Sequence, residues 1–255
     1  MKRSDINEMI SLLQRATILD ACRDGPADRT TITERAECSR ATAYRATTEL
    51  EEQGLVEKSS DGYRLTRSGT AILEQIQQFQ TRLDGSRHLE PLLEHVTAPE
   101  LVENVHLFTD ATVIEADPSA PYAIEQHLES IIRDTNRELV GATSSFGSPT
   151  VMESTYEIIR GGIDVEWIIT PSAFDGVRAQ HRDGHDTLGE LDTTATYFVD
   201  DLPLDFAIYD DTLVVAGFDD RTGVIAAIVT TENETAVEWG RRLVDEYRAR
   251  GERIV

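Results

Sequence analysis

The 255-residue sequence predicts an α+β amino-terminal unit joined by a linker helix to a carboxyl-terminal mixed α/β domain. Three observations predict it. Apolar residues recur at threes and fours from Ile6 to Cys22, and after a break and a helix capped at Ser39 two short strand-like runs flank a turn. A polar stretch with one narrow apolar stripe follows. Beyond it, strand-like runs first alternate with helical ones and later follow one another directly. A chain of this length accommodates two compact domains, and 40% hydrophobic content is enough to fill both cores. The boundaries fall at residues 1–68, 69–86 and 87–255.

The first helical pattern places Ile6, Met9, Ile10, Leu13, Ala16, Leu19 and Cys22 on one face, as one helix or as two end to end. RDGPAD breaks it. A short helical segment spans about Thr31 to Ala36, and Ser39 is a good N-cap for a helix running to about Gln53, where Gly54 ends it. On that helix Ala43, Ala46, Thr47 and Leu50 form the packing side, while Arg40, Thr42, Tyr44, Arg45 and Thr48 lie opposite. Small packing residues let such a helix lie close to its support while its polar face protrudes toward base edges. Leu55 to Lys58 then reads as a strand, Ser59 to Gly62 as a turn and Tyr63 to Thr66 as the returning strand. From Gly69 onward, Ile72, Ile76, Phe79 and Leu83 are spaced four, three and four apart on an otherwise polar helix. This is a coiled-coil-like seam, able to pack within the chain or against a second copy.

In the second half, Ala111 to Ala116 reads as a strand, Ile124 to Thr135 as a helix and Glu138 to Ala142 as a strand. A helix from Pro149 to Arg160, the strand Val165 to Thr170 and a helix beginning at Pro171 come next. That alternation implies a largely parallel sheet. Thr196 to Val199, Phe206 to Tyr209, Leu213 to Phe218 and Val224 to Val229 are β-rich runs separated by acidic turns, expected as an antiparallel meander. A final helix from about Glu234 turns Ala236, Trp239, Leu243 and Tyr247 inward.

The charge is unusual in amount and kind. There are 47 acidic and 24 basic residues, for a net charge of −23, and Lys2 and Lys58 are the only lysines. Residues 1–83 carry 12 basic and 13 acidic side chains, leaving 12 and 34 for the remainder, so the acid excess belongs to the second half. Such a surface stays hydrated in molar salt, where the Debye length falls to about 3 Å and distant carboxylates scarcely repel a polyanion. No run of about 18 apolar residues occurs and the start is amphipathic, so a cytoplasmic protein without a membrane partner is expected. Cys22 and Cys38 fall at apolar positions of the periodic pattern and read as buried small side chains.

The stretch "SRATAYRATTELEEQGLVEKSSDGYRLTRSG" resembles the recognition helix and wing of archaeal and bacterial winged helix-turn-helix transcription regulators. Over nearly the whole chain, including the closing "AVEWGRRLVDEYRARGERI", the order of parts resembles haloarchaeal regulators related to the methanogenesis regulator family, and more distantly TrmB-like ones. The resemblance implies a homodimer on double-stranded DNA, with a carboxyl-terminal effector domain. Ser39, Arg40, Thr42, Tyr44, Arg45 and Thr48, with Lys58, Arg64 and Arg67 near the wing, are the expected DNA-binding residues. A winged helix also serves as a docking or structural module; two arginines on one exposed face favour phosphate or guanine contacts instead. Ile72, Ile76, Phe79 and Leu83 are the expected dimer seam.

Catalytic signatures are missing. The chain has no GxxxxGK, GxSxG, HExxH or CxxC motif. Related sugar-responsive regulators have effector domains similar to phospholipase D, whose chemistry needs a His-x-Lys pair, and this domain contains no lysine. No enzyme activity, cofactor or metal is expected, since His181 and His185 have Gly184 between them and no third ligand. An enzyme or an interaction adaptor with an accessory winged helix is the alternative. A binding edge is better supported: the strand ending at Ala142 runs into Thr143, Ser144 and Ser145, and Val165 to Thr170 runs into Pro171 and Ser172. Parallel neighbours would bring both loops to one carboxyl edge, where free N–H groups suit a small polar or anionic effector. Helix capping explains the same residues equally well. Phe206, Tyr209 and the acidic turn Asp200 to Asp205 would complete the wall.

Overall fold

A computed structural model describes residues 2–145, 148–180, 194–219 and 221–254. The His181 and His185 pair lies outside them. Two compact units divide the chain at residues 1–81 and 82–255.

In the first unit the leading periodic pattern becomes two helices, α1 (Arg3–Gln14) and α2 (Ala16–Ala21). Helix α1 buries none of its residues, whereas α2 buries Ile18 and Leu19. Asp28 caps α3 (Arg29–Arg35) by accepting the Thr31 N–H at 2.8 Å. Ser39 caps α4 (Arg40–Glu52) by accepting the Thr42 N–H at 3.1 Å. Ala43, Ala46, Thr47 and Leu50 are buried on α4, and the Thr47 hydroxyl donates to the Ala43 carbonyl at 2.8 Å, so its burial leaves no unmet donor. Strands β1 (Val56–Ser59) and β2 (Gly62–Leu65) form an antiparallel hairpin. Tyr63 exchanges two backbone hydrogen bonds with Ala27, tying the hairpin to the segment before α3. The adjoining turn requires glycine: Gly62 has φ +134°, and a Cβ there would stand 2.3 Å from the Ala27 carbonyl oxygen.

Helix α5 (Arg67–His88) continues without a break across the boundary between the units. Its stripe is not one open seam. Ile76 is buried and Ile72 half-buried in the first unit's core beside Leu73, whereas Phe79 and Leu83 are 48% and 37% exposed. The correction has a simple cause. Leu73, outside the four-three-four pattern, widens the inner face and turns Ile72 and Ile76 inward.

The second unit is an eight-stranded mixed sheet in the order β10-β6-β5-β4-β7-β8-β9-β3. Short helices α6 (Glu90–Leu93) and α7 (Pro99–Asn104) and a 3-10 turn lead into β3 (Thr112–Glu115). Helix α8 (Ala123–Asp134), β4 (Glu138–Thr143), α9 (Pro149–Arg160), β5 (Asp164–Ile169), α10 (Pro171–Gln180) and β6 (Thr194–Phe198) then alternate, with β4, β5 and β6 mutually parallel. Strands β7 (Asp205–Tyr209), β8 (Thr212–Phe218) and β9 (Ile225–Thr231) form the antiparallel meander, followed by α11 (Glu234–Arg250) and the short β10 (Glu252–Arg253).

The Thr196–Val199 run is therefore not part of the meander, contrary to the expectation. It lies in or directly after β6, which pairs with β5 and β10. The segment DDLPLD is a crossover rather than a turn: Leu202 and Leu204 are buried, and the chain returns beside β4. Alternating side chains serve two cores. Leu213, Val215 and Val229 join Phe108, Trp239 and Tyr247 on one face, while Val214 and Ile228 join Leu128, Met152 and Tyr156 under α8 and α9 on the other.

Candidate functional site

Helix α4 buries its small residues and leaves Arg40, Tyr44 and Arg45 exposed. Neither Arg40 nor Arg45 meets an ion-pair or hydrogen-bond partner among the described residues, so both guanidinium groups stand free for an external anion. Thr42 is exposed beside them, its hydroxyl 2.9 Å from that of Ser39. Two other expected contact residues serve the helix itself. Ser39 is the cap, and the half-buried Thr48 donates to the Tyr44 carbonyl at 2.9 Å. Near the hairpin, Lys58 and Arg67 are exposed and unpaired among the described residues, whereas the Arg64 Nε donates to Glu57 at 2.7 Å. Their register explains the pair, because Glu57 stands opposite Arg64 across the two strands.

One contributor was not read from the sequence. Arg29, the first residue of α3, lies 4.6 Å from the centroid of the Tyr44 ring and 5.7 Å from that of Tyr63, and its Nη2 donates to the Tyr63 hydroxyl at 3.0 Å. It holds the exposed Tyr44 and the hairpin to the same guanidinium. No sequence spacing reports this, because the three residues meet only through the packing of α3, α4 and β2.

In the second unit, β4 and β5 run parallel in register, with Thr143 opposite Ile169, so both following loops lie at one edge. The structure brings Thr143, Ser144 and Ser145 together there around Asp205, the first residue of β7. Asp205 accepts the Thr143 hydroxyl at 2.8 Å and both the N–H and the hydroxyl of Ser144. Burial raises the Asp205 carboxyl above its ordinary range, outweighing the hydrogen bonds from Ser144 and Thr143 that lower it. The expected anion position is thus filled by the protein's own carboxylate. Thr170 and Ser172 are not part of this cluster: their hydroxyls lie 3.1 Å apart, and Thr170 accepts the Ala173 N–H at 3.3 Å to start α10. Beneath the edge is a cavity of about 80 Å³ lined by Thr143, Val151, Met152, Trp167, Asp205 and Tyr209. Phe206 also touches it while its ring packs 6.2 Å from that of Tyr247.

Cys22 is buried, which pushes its thiol up to about 11 even with Arg35 acting in the opposite sense, and Cys38 is half-buried. Among the described residues no group of three or more His, Cys, Asp or Glu side chains is placed to hold a metal ion. No helix among them is long and apolar enough to cross a membrane.

Mixed helix and sheet, with an exposed arginine-bearing helix in one unit and a largely apolar cavity in the other, define the class of the molecule. Comparison with known proteins adds the family. Residues 3–88 match the HVO_A0261 N-terminal domain. Residues 121–250, half of the chain, match the middle domain of the methanogenesis regulatory protein FilR1, and the chain belongs to that family. No curated protein matches it in sequence. Among solved structures, TrmBL2, an archaeal chromatin protein described as showing a novel mode of DNA binding, is 15% identical with a TM-score of 0.44, the match covering 97% of this chain and 99% of that one. NucT from Helicobacter pylori is 13% identical, with a TM-score of 0.44 over 56% of this chain and 97% of its own. Nuc from Salmonella typhimurium, a phospholipase D family member, is 15% identical, with a TM-score of 0.45 over 57% and 99%.

Proposed function

We propose that this chain is a sequence-specific DNA-binding transcription regulator of a salt-adapted cell, working as a homodimer. Its amino-terminal unit is a winged helix-turn-helix in which α3 and α4 are the two helices of the motif and β1–β2 is the wing. The observation that carries this reading is the division of α4: one side is buried through Ala43, Ala46, Thr47 and Leu50, and the other presents the unpaired Arg40 and Arg45. Short packing residues bring the helix close to its support, and two free guanidinium groups near its amino end suit phosphate contacts and bidentate guanine readout. Lys58 and Arg67 extend the contact along the backbone of the duplex.

Dimerisation uses Phe79 and Leu83, the two residues of the α5 stripe that stay exposed. The second unit is an effector domain without catalytic activity, binding a small metabolite at the β4–β5 edge. The position of Asp205 favours a ligand that donates hydrogen bonds over an anionic one. The test is binding of labelled duplexes from the chain's own upstream region at several salt concentrations. Selectivity for one duplex over a scrambled one supports the reading, and equal binding of both, or of neither, refutes it.

A further inference from the structure

Tyr44 is the one large apolar side chain that α4 leaves exposed, at 53%, on a face otherwise made of arginine, threonine and alanine. A single surface aromatic calls for no explanation by itself. This one, however, is held in place. The Arg29 guanidinium lies over one face of its ring and is in turn fixed by its hydrogen bond to the Tyr63 hydroxyl. Tyr63 belongs to the first unit's core, and its backbone exchanges two hydrogen bonds with Ala27. The exposed ring is therefore anchored through one guanidinium to the interior of the domain.

Its place on the helix supplies the second observation. Tyr44 follows Arg40 by four residues, so the two share a face, and it directly precedes Arg45. Both arginines are exposed and unpaired among the described residues. An apolar ring thus stands between two free cations, on the side of α4 turned away from the core. In the major groove the base edges present hydrogen-bond donors and acceptors and a single apolar group, the 5-methyl of thymine. Guanidinium groups suit the acceptors of guanine, and an aromatic ring suits the methyl. A ring already positioned has little side-chain freedom left to lose when it meets its target.

We infer that Tyr44 is a specificity-determining residue that reads a thymine through its 5-methyl group, and that Arg29 is the positioning residue that sets its ring. The inference rests on α4 being the DNA-reading helix and deepens that reading by naming one of the bases read.

The test takes the full chain and the duplex it prefers over a scrambled one, with each thymine replaced in turn by deoxyuridine. That exchange removes the methyl and keeps every hydrogen-bonding group of the base. Burying one methyl group corresponds to about a four-fold change in affinity, so at one or more positions the parent protein should bind the deoxyuridine duplex about four-fold more weakly. At those positions Tyr44→Ala should bind both forms equally, and Tyr44→Phe, which keeps the ring, should keep the discrimination. Arg29→Ala should lose most of it, a ratio that a purely structural contact would not move. A preferred duplex with no methyl-sensitive position, or a Tyr44→Ala variant with the parent's ratio, overturns the inference while the regulator reading stands. Full discrimination in Arg29→Ala refutes the positioning role. If no duplex is preferred, the regulator reading fails and this inference falls with it.

Discussion

Arg45→Ala separates a contact residue from a structural one. In the free protein the Arg45 side chain is exposed and meets no ion-pair or hydrogen-bond partner among the described residues, so its truncation removes nothing from the fold. Surface changes of that kind stay within about 0.5 kcal/mol, and alanine is at least as good a helix former as arginine. On DNA the expectation is different. If the guanidinium reads a guanine, its loss costs about 1–3 kcal/mol, roughly 5- to 150-fold in affinity, and only for the preferred duplex. If it neutralises a phosphate, all duplexes weaken alike and the slope of log K against log salt drops by about 0.9. Fluorescence anisotropy on the preferred and a scrambled duplex at four salt concentrations separates the two outcomes. Arg64→Ala is the internal comparison: it breaks the exposed pair with Glu57, worth about 0–1 kcal/mol of stability. A lowered melting temperature for Arg45→Ala would give that residue a structural role. Unchanged affinity and salt slope in both Arg45→Ala and Arg40→Ala would remove α4 as the reading helix.

Three further outcomes follow from single contacts. Ser39→Ala deletes the cap of α4, which costs about 1 kcal/mol, and differential scanning calorimetry should show an earlier transition for the first unit; none is expected if the cap is idle. Asp205→Asn tests the buried carboxylate. Its folded-state pKa is raised, so its contribution to stability is fully present below the ordinary value of 3.8 and lost as pH rises through the raised value. Over that window the melting temperature of the variant, measured relative to the parent, should climb with pH, and parallel curves would contradict the assignment. Phe79→Asp should lower the mass seen by light scattering toward the monomer, and an unchanged mass places the interface elsewhere.

Local structure was legible in the sequence wherever one segment carries its own instructions. Ser39 caps the helix expected of it, and α9 spans the Pro149–Arg160 range that the sequence predicts, with Ser148 accepting the Val151 N–H at its start. The inward face of α11 likewise holds Ala236, Trp239, Leu243 and Tyr247. What escaped depends on which distant segments meet. Leu73 redirects the α5 stripe only once α2 and α4 are in place, and Arg29 acquires its role only when Tyr44 and Tyr63 arrive beside it. The β-rich residues of β6 specify a strand and not a neighbour, so its place between β5 and β10 is not readable from them.

The placement of β7 explains the candidate ligand edge better than any motif does. This strand lies antiparallel against β4, so each of its ends meets one end of that neighbour. Aspartate occurs at both junctions, with opposite consequences. At the start of β7, Asp205 accepts from Thr143 and Ser144 beyond the end of β4, and burial dominates to raise its carboxyl. Just past the end of β7, Asp210 has φ 54° and receives the N–H groups of residues 136–138 leading into β4. There burial acts in the raising direction, but those three hydrogen bonds and Arg137 outweigh it and hold the carboxyl below its usual range. An all-parallel sheet would have left the edge of β4 open to an anion. Inserting an antiparallel strand at that point puts a carboxylate in the opening, so the edge accepts hydrogen bonds where the alternation of strands and helices had promised donors.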